Sequence, residues 1–380
     1  MYDLIVKNGT VIDPSQHLEG QRDIAVSAGK VVAVEEAIAS SATRVVDAAG
    51  RIVTPGLIDF HTHVYWGGIP IGVDPDATCL AKGVTTVVDA GSAGCANFLG
   101  FRKFILERST TRVLSLLHIS SIGLIQPPEL EDLRYLDYDG AVAVAAANRD
   151  CVKGLKIRFA SPPNNHIGAN GPHAMRLIRE AADDTGGFIM VHPRSMSPGF
   201  PLEAILQLLR PGDVVTHCFA PTHPLYFPHA EFLTEDGTVL PAVKAAARRG
   251  IHFDVGHGSS NFSFDTARKA LADGFLPTTI STDLNAKALT TAQDLPTTMS
   301  KFLALGLSLP QVVERTTMNP AHVLGLDGAL GTLAPGAEAD ITLLEVEAGT
   351  FTFQDVQGHS LPGKQRLRPH TVIKGGAVVS

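Results

Sequence analysis

The sequence predicts an α/β fold in which a (β/α)8 TIM barrel is joined to a small β-sandwich domain. Three observations support this prediction: strand-like segments near both ends of the chain, eight strand-then-helix units between them, and ionisable residues at the ends of those strands. We expect residues 55–329 to form the barrel and residues 1–54 and 330–380 to form the small domain together.

The two outer parts of the chain share an alternating pattern of β-branched and polar residues. Strand-like segments cover residues 3–13 and 23–35, and similar ones return at 331–347 and 370–379. Isolated hairpins are only marginally stable in water, so one shared β domain is favoured over two separate β extensions.

The middle of the chain alternates between apolar, β-rich runs and segments with helical spacing such as PLEAILQLLR. Continuous apolar strands suit a parallel sheet that is covered on both faces. A doubly wound open sheet is the competing architecture, but no GxGxxG motif follows any of these strands. The eight predicted strands cover residues 57–64, 85–92, 112–121, 152–160, 187–194, 212–220, 251–259 and 277–284.

Nearly every predicted strand ends in ionisable side chains, which a random distribution would not produce. In (β/α)8 barrels the active site lies at the carboxyl ends of the strands, so these side chains are expected to converge on one mouth. They are His61, His63, Asp89, His118, Lys156, Arg158, His192, Arg194, His217, His257 and Asp283.

His61 and His63 are the first candidates for metal ligands. Residues two apart on a strand point to the same side, so both imidazoles can face one cavity. Such a pair alone is weak evidence, but His192, His217 and Asp283 end other strands and complete a donor set suited to Zn²⁺, Fe²⁺ or Mn²⁺. The alternative is that these are hydrogen-bonded core histidines, which explains one position more easily than all of them.

Lys156 is unexpected beside a metal, because an ammonium group would be repelled. A buried lysine with a lowered pKa is nucleophilic and can take up CO₂, and the resulting carbamate can bridge two metal ions. Lys156 and Arg158 share one face of the strand, whereas Lys153 points to the other. A salt-bridging role for Lys156 within the barrel is the alternative.

The bulk properties exclude several classes of function. A net charge of −7 argues against nucleic acid as the main partner, and no apolar run is long enough to cross a membrane. The first residues do not have the pattern of a signal peptide, and the four cysteines are scattered without CxxC spacing. We therefore expect a cytoplasmic protein with a small-molecule substrate.

Several segments resemble the amidohydrolase superfamily along nearly the whole chain: TPGLIDFHTH, STDLNA, MNPAHVLGL and GTLAPGAEADITLL. Others, including VKGLKIR, DVVTHCF, FDVGHG and TTMSK, are most similar to its deacetylase-like, dihydroorotase-related metallohydrolases. The resemblance implies two divalent metal ions, with zinc the expected metal, and a carboxylated Lys156. Relatives often form dimers or larger assemblies, so the resemblance is compatible with a homo-oligomer.

The resemblance also implies roles for the strand-end residues. His61, His63 and Asp283 would hold one metal, and His192 and His217 the other. Lys156 and a hydroxide would bridge the two ions. Asp283 is also the expected general base. Arg158 is the candidate for stabilising the developing oxyanion, with a structural ion pair as the alternative.

The substrate is less clearly indicated. Dihydroorotases typically carry arginine two residues after the second histidine, and this chain has Tyr65 there. Arg194 can receive a substrate carboxylate, which favours a small acylated hydroxy or amino acid. The expected activity is therefore deacetylation of an amide or ester, with a cyclic-amide hydrolase of dihydroorotase or hydantoinase type, or a non-catalytic assembly partner, as alternatives. Further candidate substrate contacts are Tyr65, Ser92, Asn97, Ser121, His257 and Asn285, with hydrogen bonding within the barrel mouth as the alternative for His257.

Overall fold

A computed structural model of the chain describes residues 1–126, 129–130, 132–159, 170–193, 200–221 and 232–379. The strands are β1 (Tyr2–Asp13), β2 (Leu18–Ser27), β3 (Lys30–Glu35), β4 (Ala42–Asp47), β5 (Ile52–Pro55), β6 (Leu57–Thr62), β7 (Val84–Gly94), β8 (Arg112–His118), β9 (Val152–Arg158), β10 (Phe188–His192), β11 (Val214–Val215), β12 (His252–Phe253), β13 (Ile341–Gln354), β14 (Ser360–Lys374) and β15 (Ala377–Val378).

Strands from both ends of the chain form one sheet, which we call the terminal sheet. Its order is β15-β14-β13-β5-β1-β2-β3, and β4 pairs with β1. The junction between the two parts is antiparallel, with Val53 of β5 opposite Leu343 of β13. Apolar side chains from both ends, such as Val6, Val53 and Ile341, pack in one buried cluster. This cluster joins sequence segments that lie far apart.

The middle of the chain contains a parallel sheet in the order β6-β7-β8-β9-β10-β11-β12. Its strands are buried, as expected for a sheet that is covered on both faces. Strands β6 to β10 lie where the sequence predicted them, although their ends differ by up to two or three residues. The sheet brings the carboxyl ends of all seven strands to one edge.

Residues 277–284 were predicted as the eighth strand and form isolated parallel bridges instead. Thr279 bridges to Asp254, and Leu284 bridges to Thr62. The backbone N–H of Thr282 donates to the Asp59 carboxylate, and that of Ile280 donates to the carbonyl of Arg315. These N–H groups therefore bond outside a regular ladder, which explains why this segment is not a continuous strand.

The two preceding strands are also shorter than predicted. β11 and β12 each have two residues, whereas the sequence predicted strands over 212–220 and 251–259. Positive φ angles at His217 (64°) and Gly256 (48°) turn the chain soon after each strand ends. The residues that follow are therefore free of the strand geometry and form the loops that surround the candidate site.

Helices follow most strands of the parallel sheet and pack on its outer face. The extensive core between helices and sheet includes Leu155, Ile178, Val191 and Phe302. Within the described ranges no helix is both long and apolar enough to cross a membrane. The helices are α1 (Pro75–Thr78), α2 (Phe98–Phe101), α3 (Tyr138–Ala147), α4 (Gly171–Thr185), α5 (Leu202–Leu208), α6 (Pro241–Arg248), α7 (Phe264–Ala272), α8 (Leu295–Ala304), α9 (Leu309–Glu314) and α10 (Met318–Val323).

Candidate metal centre

One cavity of about 350 Å³ opens at the carboxyl edge of the parallel sheet. All six residues that the sequence predicted as metal ligands line it, although they come from separate elements. They are His61 and His63 at the end of β6, Lys156 in β9, His192 in β10, His217 after β11 and Asp283 in the segment after α7.

Asp283 is the point on which the histidines converge. Its Oδ1 lies 3.2 Å from Nε2 of His63 and 3.7 Å from Nε2 of His61. His61, His217 and Asp283 each offer a ligand atom within 4.8 Å of the others. The His192 ring lies beside that of His217, with 4.4 Å between ring centroids. The spacing is compact enough for side chains that share metal ions.

In His61 and His217 the ring nitrogen that faces away from the site is held by a neighbouring group. Nδ1 of His61 lies 3.2 Å from Oδ2 of Asp254 and 2.9 Å from Oγ1 of Thr216. Nδ1 of His217 lies 2.8 Å from the carbonyl oxygen of Gly256. A carboxylate and a carbonyl only accept hydrogen bonds, so each Nδ1 carries the proton and each Nε2 offers a lone pair. This second layer of partners is typical of metal-binding histidines.

The electrostatics favour the protonation states that bind metal. Burial lowers the pKa of His61 and lowers that of His217 to about 3, which keeps both imidazoles neutral. Burial opposes ionisation of Asp283, but the close contact with His63 is among the interactions that hold the pKa of Asp283 well below its usual range. The donor set is therefore neutral nitrogen plus anionic oxygen, which suits a divalent cation such as zinc.

Two of these residues have left-handed backbones. φ is 64° at His217 and 47° at Asp283, a region that residues other than glycine rarely adopt. Such a conformation costs on the order of 1–2 kcal/mol per residue. Asp59 and Gly258 bond to the backbone around Asp283, whose segment is thereby held in place. The surrounding contacts thus support strain at two candidate ligands, as is common at functional sites.

Lys156 is 2% exposed and lies within the cluster. Its Nζ is 3.5 Å from Nε2 of His61 and 3.2 Å from Sδ of Met190. Burial lowers the pKa of Lys156 to about 8, so roughly a tenth of the side chains are neutral amines at pH 7, far more than for an exposed lysine. The neutral amine is the form that reacts with CO₂.

Arg158 lines the same cavity and also makes a buried ion pair. Its Nε and Nη2 donate to the two carboxylate oxygens of Glu129 at 2.7 and 2.6 Å. Burial opposes ionisation of Glu129, but Arg158 holds the pKa of that carboxyl well below its usual range. Nε2 of His118 lies 3.4 Å from the same carboxylate. The ion pair fixes the guanidinium at the cavity wall.

The structure places the candidate substrate contacts in different surroundings. Asn285 lines the cavity, and its Nδ2 donates to the carbonyl of Asp283. Ser92 lies behind the site, where its Oγ is 3.0 Å from Nδ1 of His63. Tyr65 packs against Phe101 and donates to the carbonyl of Asn97. Arg194 lies outside the described residues.

Three further candidate substrate contacts bond to other groups and are not among the described residues that line the cavity. Oδ1 of Asn97 accepts from the backbone of Gly94, as a turn-capping side chain does. Ser121 bonds through its backbone to Tyr135. His257 is fully buried, and both of its ring nitrogens have partners.

Asp254, Glu129 and Asn261 were not predicted from the sequence, although each contacts a candidate functional residue. Nδ2 of Asn261 lies 3.3 Å from Oδ2 of Asp283. Asp254 interrupts the apolar run IHFDV, which is a signal that could have marked it. Glu129 and Asn261 lie in irregular segments, where spacing carries no information about facing.

Comparison with known proteins gives consistent matches over the full chain. The sequence model of the amidohydrolase family matches residues 52–379. A deacetylase from Agrobacterium fabrum is 36% identical over 359 residues, which cover 93% of this chain and 85% of the relative. The crystal structure of an adenine deaminase superposes with a TM-score of 0.91 at 31% identity and covers 100% of both chains. The crystal structure of a dihydroorotase has a TM-score of 0.86 at 34% identity and covers 99% of this chain and 97% of the other.

Proposed function

The chain belongs to the amidohydrolase family and is a hydrolytic enzyme, and we propose that it is a binuclear metal-dependent deacetylase. Its proposed substrate is a small acylated hydroxy or amino acid, cleaved at the amide or ester bond. The observation that carries this proposal is the convergence of His61 and His63 on Asp283, with Lys156 in the same cluster. The 36% identity to a deacetylase supports the choice of reaction.

The donor set divides naturally between two ions. His61, His63 and Asp283 would hold one ion and His192 and His217 the other, with carboxylated Lys156 shared between them. Zinc is the proposed metal because the donors are neutral imidazoles and carboxylate oxygens. When bound, the ions polarise the scissile carbonyl and lower the pKa of water towards about 7.

Side chains of the protein transfer the protons and stabilise the charge that develops during the reaction. A water molecule attacks the acyl carbon, and a new C–O bond forms as its proton passes to a carboxylate oxygen of Asp283. The bond to the leaving nitrogen or oxygen breaks, and Asp283 returns the proton to that atom. Asn261 holds Oδ2 of Asp283 through a hydrogen bond. Arg158, at the cavity wall, stabilises the negative charge that develops on the carbonyl oxygen.

We also propose the finer architecture around this site. Bridges from residues 277–284 to Asp254 and Thr62 support closure of the parallel sheet into a (β/α)8 barrel over residues 55–329. The pairing of β5 with β13 supports a separate small domain from residues 1–54 and 330–380. All four cysteines, which lie in described segments, are free thiols, and this supports a reducing, cytoplasmic location.

A cyclic-amide hydrolase of dihydroorotase type is the second candidate function. The match to a dihydroorotase structure at 34% identity favours it. Tyr65 counts against it, because this position would supply a carboxylate-binding arginine in dihydroorotases. Here the Tyr65 ring packs on Phe101, and its hydroxyl donates a hydrogen bond to the carbonyl of Asn97.

The test is a substrate panel with zinc-loaded enzyme of measured metal content. Both enantiomers of N-acetyl amino acids and O-acetyl hydroxy acids, together with dihydroorotate and adenine, are assayed side by side. His63→Asn is the inactive control. Acetate release that is lost in the control supports the proposal. Ring opening without acetate release supports the cyclic-amide hydrolase. A folded protein that binds no metal and turns over no compound overturns both and favours a non-catalytic barrel.

A further inference from the structure

Lys301 is a second buried lysine, and it lies outside the metal cluster. It belongs to α8 and is 1% exposed. Its Nζ lies 2.8 Å from Nε2 of His257 and 2.7 Å from the carbonyl oxygen of Thr291. A buried lysine is costly unless it is well bonded, so this placement needs a reason.

His257 continues the connection from Lys301. Its Nδ1 lies 2.9 Å from the carbonyl oxygen of Gly258, and its ring stacks on Phe262 with 4.5 Å between centroids. The carbonyl accepts, so Nδ1 carries the proton and Nε2 is the acceptor for Lys301. Oγ1 of Thr291 donates to the same Gly258 carbonyl at 2.9 Å. These four residues form a closed group, which we call the lysine clamp: His257, Gly258, Thr291 and Lys301.

The lysine clamp joins two loops at the cavity. The first loop, residues 254–261, follows β12 and supplies Ser259, Ser260 and Asn261 to the cavity wall. The second loop, residues 285–294, supplies Asn285 and Lys287. The pair of loops thus forms one side of the cavity.

The clamp does not depend on the charge of Lys301. Burial lowers the pKa of Lys301 to about 7, with the carboxylates of Asp355 and Asp294 opposing that shift. Both the ammonium and the neutral amine have at least two N–H groups, which is enough for His257 and the Thr291 carbonyl. The role is therefore geometric.

We propose that Lys301 is a positioning residue that holds the two loops together, so that the cavity wall and Asn261 keep fixed positions against the substrate. The loop-tying part of this proposal stands on the contacts alone. The part that concerns the substrate rests on the proposed function.

The test compares Lys301→Met with Lys374→Met. Lys374 is also largely buried and bonds to Asp340, far from the cavity, so it controls for the loss of a buried lysine. Hydrogen exchange is measured for amides in residues 256–262 and 286–294. We expect Lys301→Met to accelerate exchange in both loops by about tenfold, and Lys374→Met to leave them unchanged. Equal exchange in the two folded variants overturns the proposal.

A double-mutant cycle tests the connection through His257. His257→Phe keeps the stacking on Phe262 and removes the acceptor for Lys301. Because the two residues act through one group, we expect the double variant to exchange no faster than either single variant. If the increases in exchange rate of the two single variants multiply in the double variant, the proposal is overturned.

Activity adds a readout that a purely structural role would not produce. With acetylated acids, Lys301→Met is expected to raise KM about fivefold and also to lower kcat a few-fold, because the loosened loop lines the cavity and carries Asn261, which bonds to the general base Asp283. A fall in kcat alone, or an unchanged KM, contradicts the positioning role.

If Lys301→Met does not fold, Thr291→Val removes the hydroxyl bond to Gly258, and unchanged exchange in residues 256–262 then overturns the proposal. Exchange needs no substrate, so it is informative even if acetate release is absent.

Discussion

Nδ1 of His61 lies 3.2 Å from Oδ2 of Asp254, at the base of the candidate metal cluster. Asp254 is fully buried, and its carboxylate also accepts hydrogen bonds from Thr216, Thr279 and Ser281. Burial opposes its ionisation, but the bond to His61 is among the contacts that lower the pKa of Asp254. A fixed anion therefore sets the tautomer and the direction of the His61 ring.

The first prediction concerns this fixed anion. Asp254→Asn removes the charge that orients His61 and is expected to lower zinc affinity by about 10–100-fold, as is typical for partners of metal-binding histidines. Competition with a chromophoric chelator measures the affinity. Asp13→Asn is the control, because Asp13 is also fully buried and accepts several hydrogen bonds in the terminal sheet. Equal zinc affinity in the two variants would contradict the role of Asp254.

The second prediction concerns the cost of burying Lys156. Its pKa falls from 10.5 to about 8 on folding, because burial disfavours the charged form. The unfolded chain therefore binds more protons between about pH 8 and pH 10.5, and stability rises with pH across that window. Lys156→Met removes this penalty. We expect the metal-free variant to be more stable than the wild type by on the order of 3 kcal/mol at pH 7, with a smaller gain near pH 10.

Urea denaturation in the presence of a chelator, at both pH values, measures this difference. Lys153→Met is the matched control, because Lys153 lies on the same strand but is only partly buried and bonds to the carbonyl of Arg149. A pH-independent gain, or the same gain in the control, would show that burial of Lys156 does not carry the effect.

The third prediction concerns the carbamate. If Lys156 is carboxylated as proposed, Lys156→Ala is expected to lose the metal pair and the hydrolytic activity, because the carbamate oxygens that would be shared by the metals are removed. Added short carboxylic acids should restore part of both, since a small carboxylate can enter the space that the side chain leaves. Metal content by atomic absorption and acetate release are the measurements. Full metal content in Lys156→Ala without added acid would rule out the bridge.

The fourth prediction separates the two roles of Arg158. If its guanidinium stabilises the oxyanion, Arg158→Met should lower kcat about 10²-fold with metal content retained. Arg179→Met is the control, since Arg179 also pairs with a mostly buried carboxylate, that of Asp213, at a distance from the cavity. An activity loss no larger than that of the control would show that the pair with Glu129 is structural only.

Much of the fold could be predicted from local pattern. The apolar runs predicted the positions of β6 to β10. The ionisable residues at the strand ends predicted six side chains that line one cavity, because parallel strands share a carboxyl edge. The lengths of the last three predicted strands were overestimated. The Asp59 carboxylate accepts the backbone N–H of Thr282, and this long-range bond has no local signal in the sequence.

The surroundings of the site were less predictable than its ligands. Asp254 reaches His61 across the sheet, and Lys301 reaches His257 from a helix 44 residues further on. The alternation of side chains along a strand identifies which neighbours share a face. It does not show which distant residue fills the space behind a histidine ring. Tyr65 is an example, since it lies near the histidines in sequence yet packs on Phe101.

The pairing of β5 with β13 has a consequence for biosynthesis. Val53 and its neighbours leave the ribosome long before Leu343, which is their strand partner. At roughly 5–20 residues per second, the gap lasts roughly 15–60 s. During that time β5 lacks its partner on one edge, and the apolar side chains of Leu4 and Val6 lack the residues, such as Ile341, that complete their buried cluster. This interval is when a newly made chain most needs protection from aggregation.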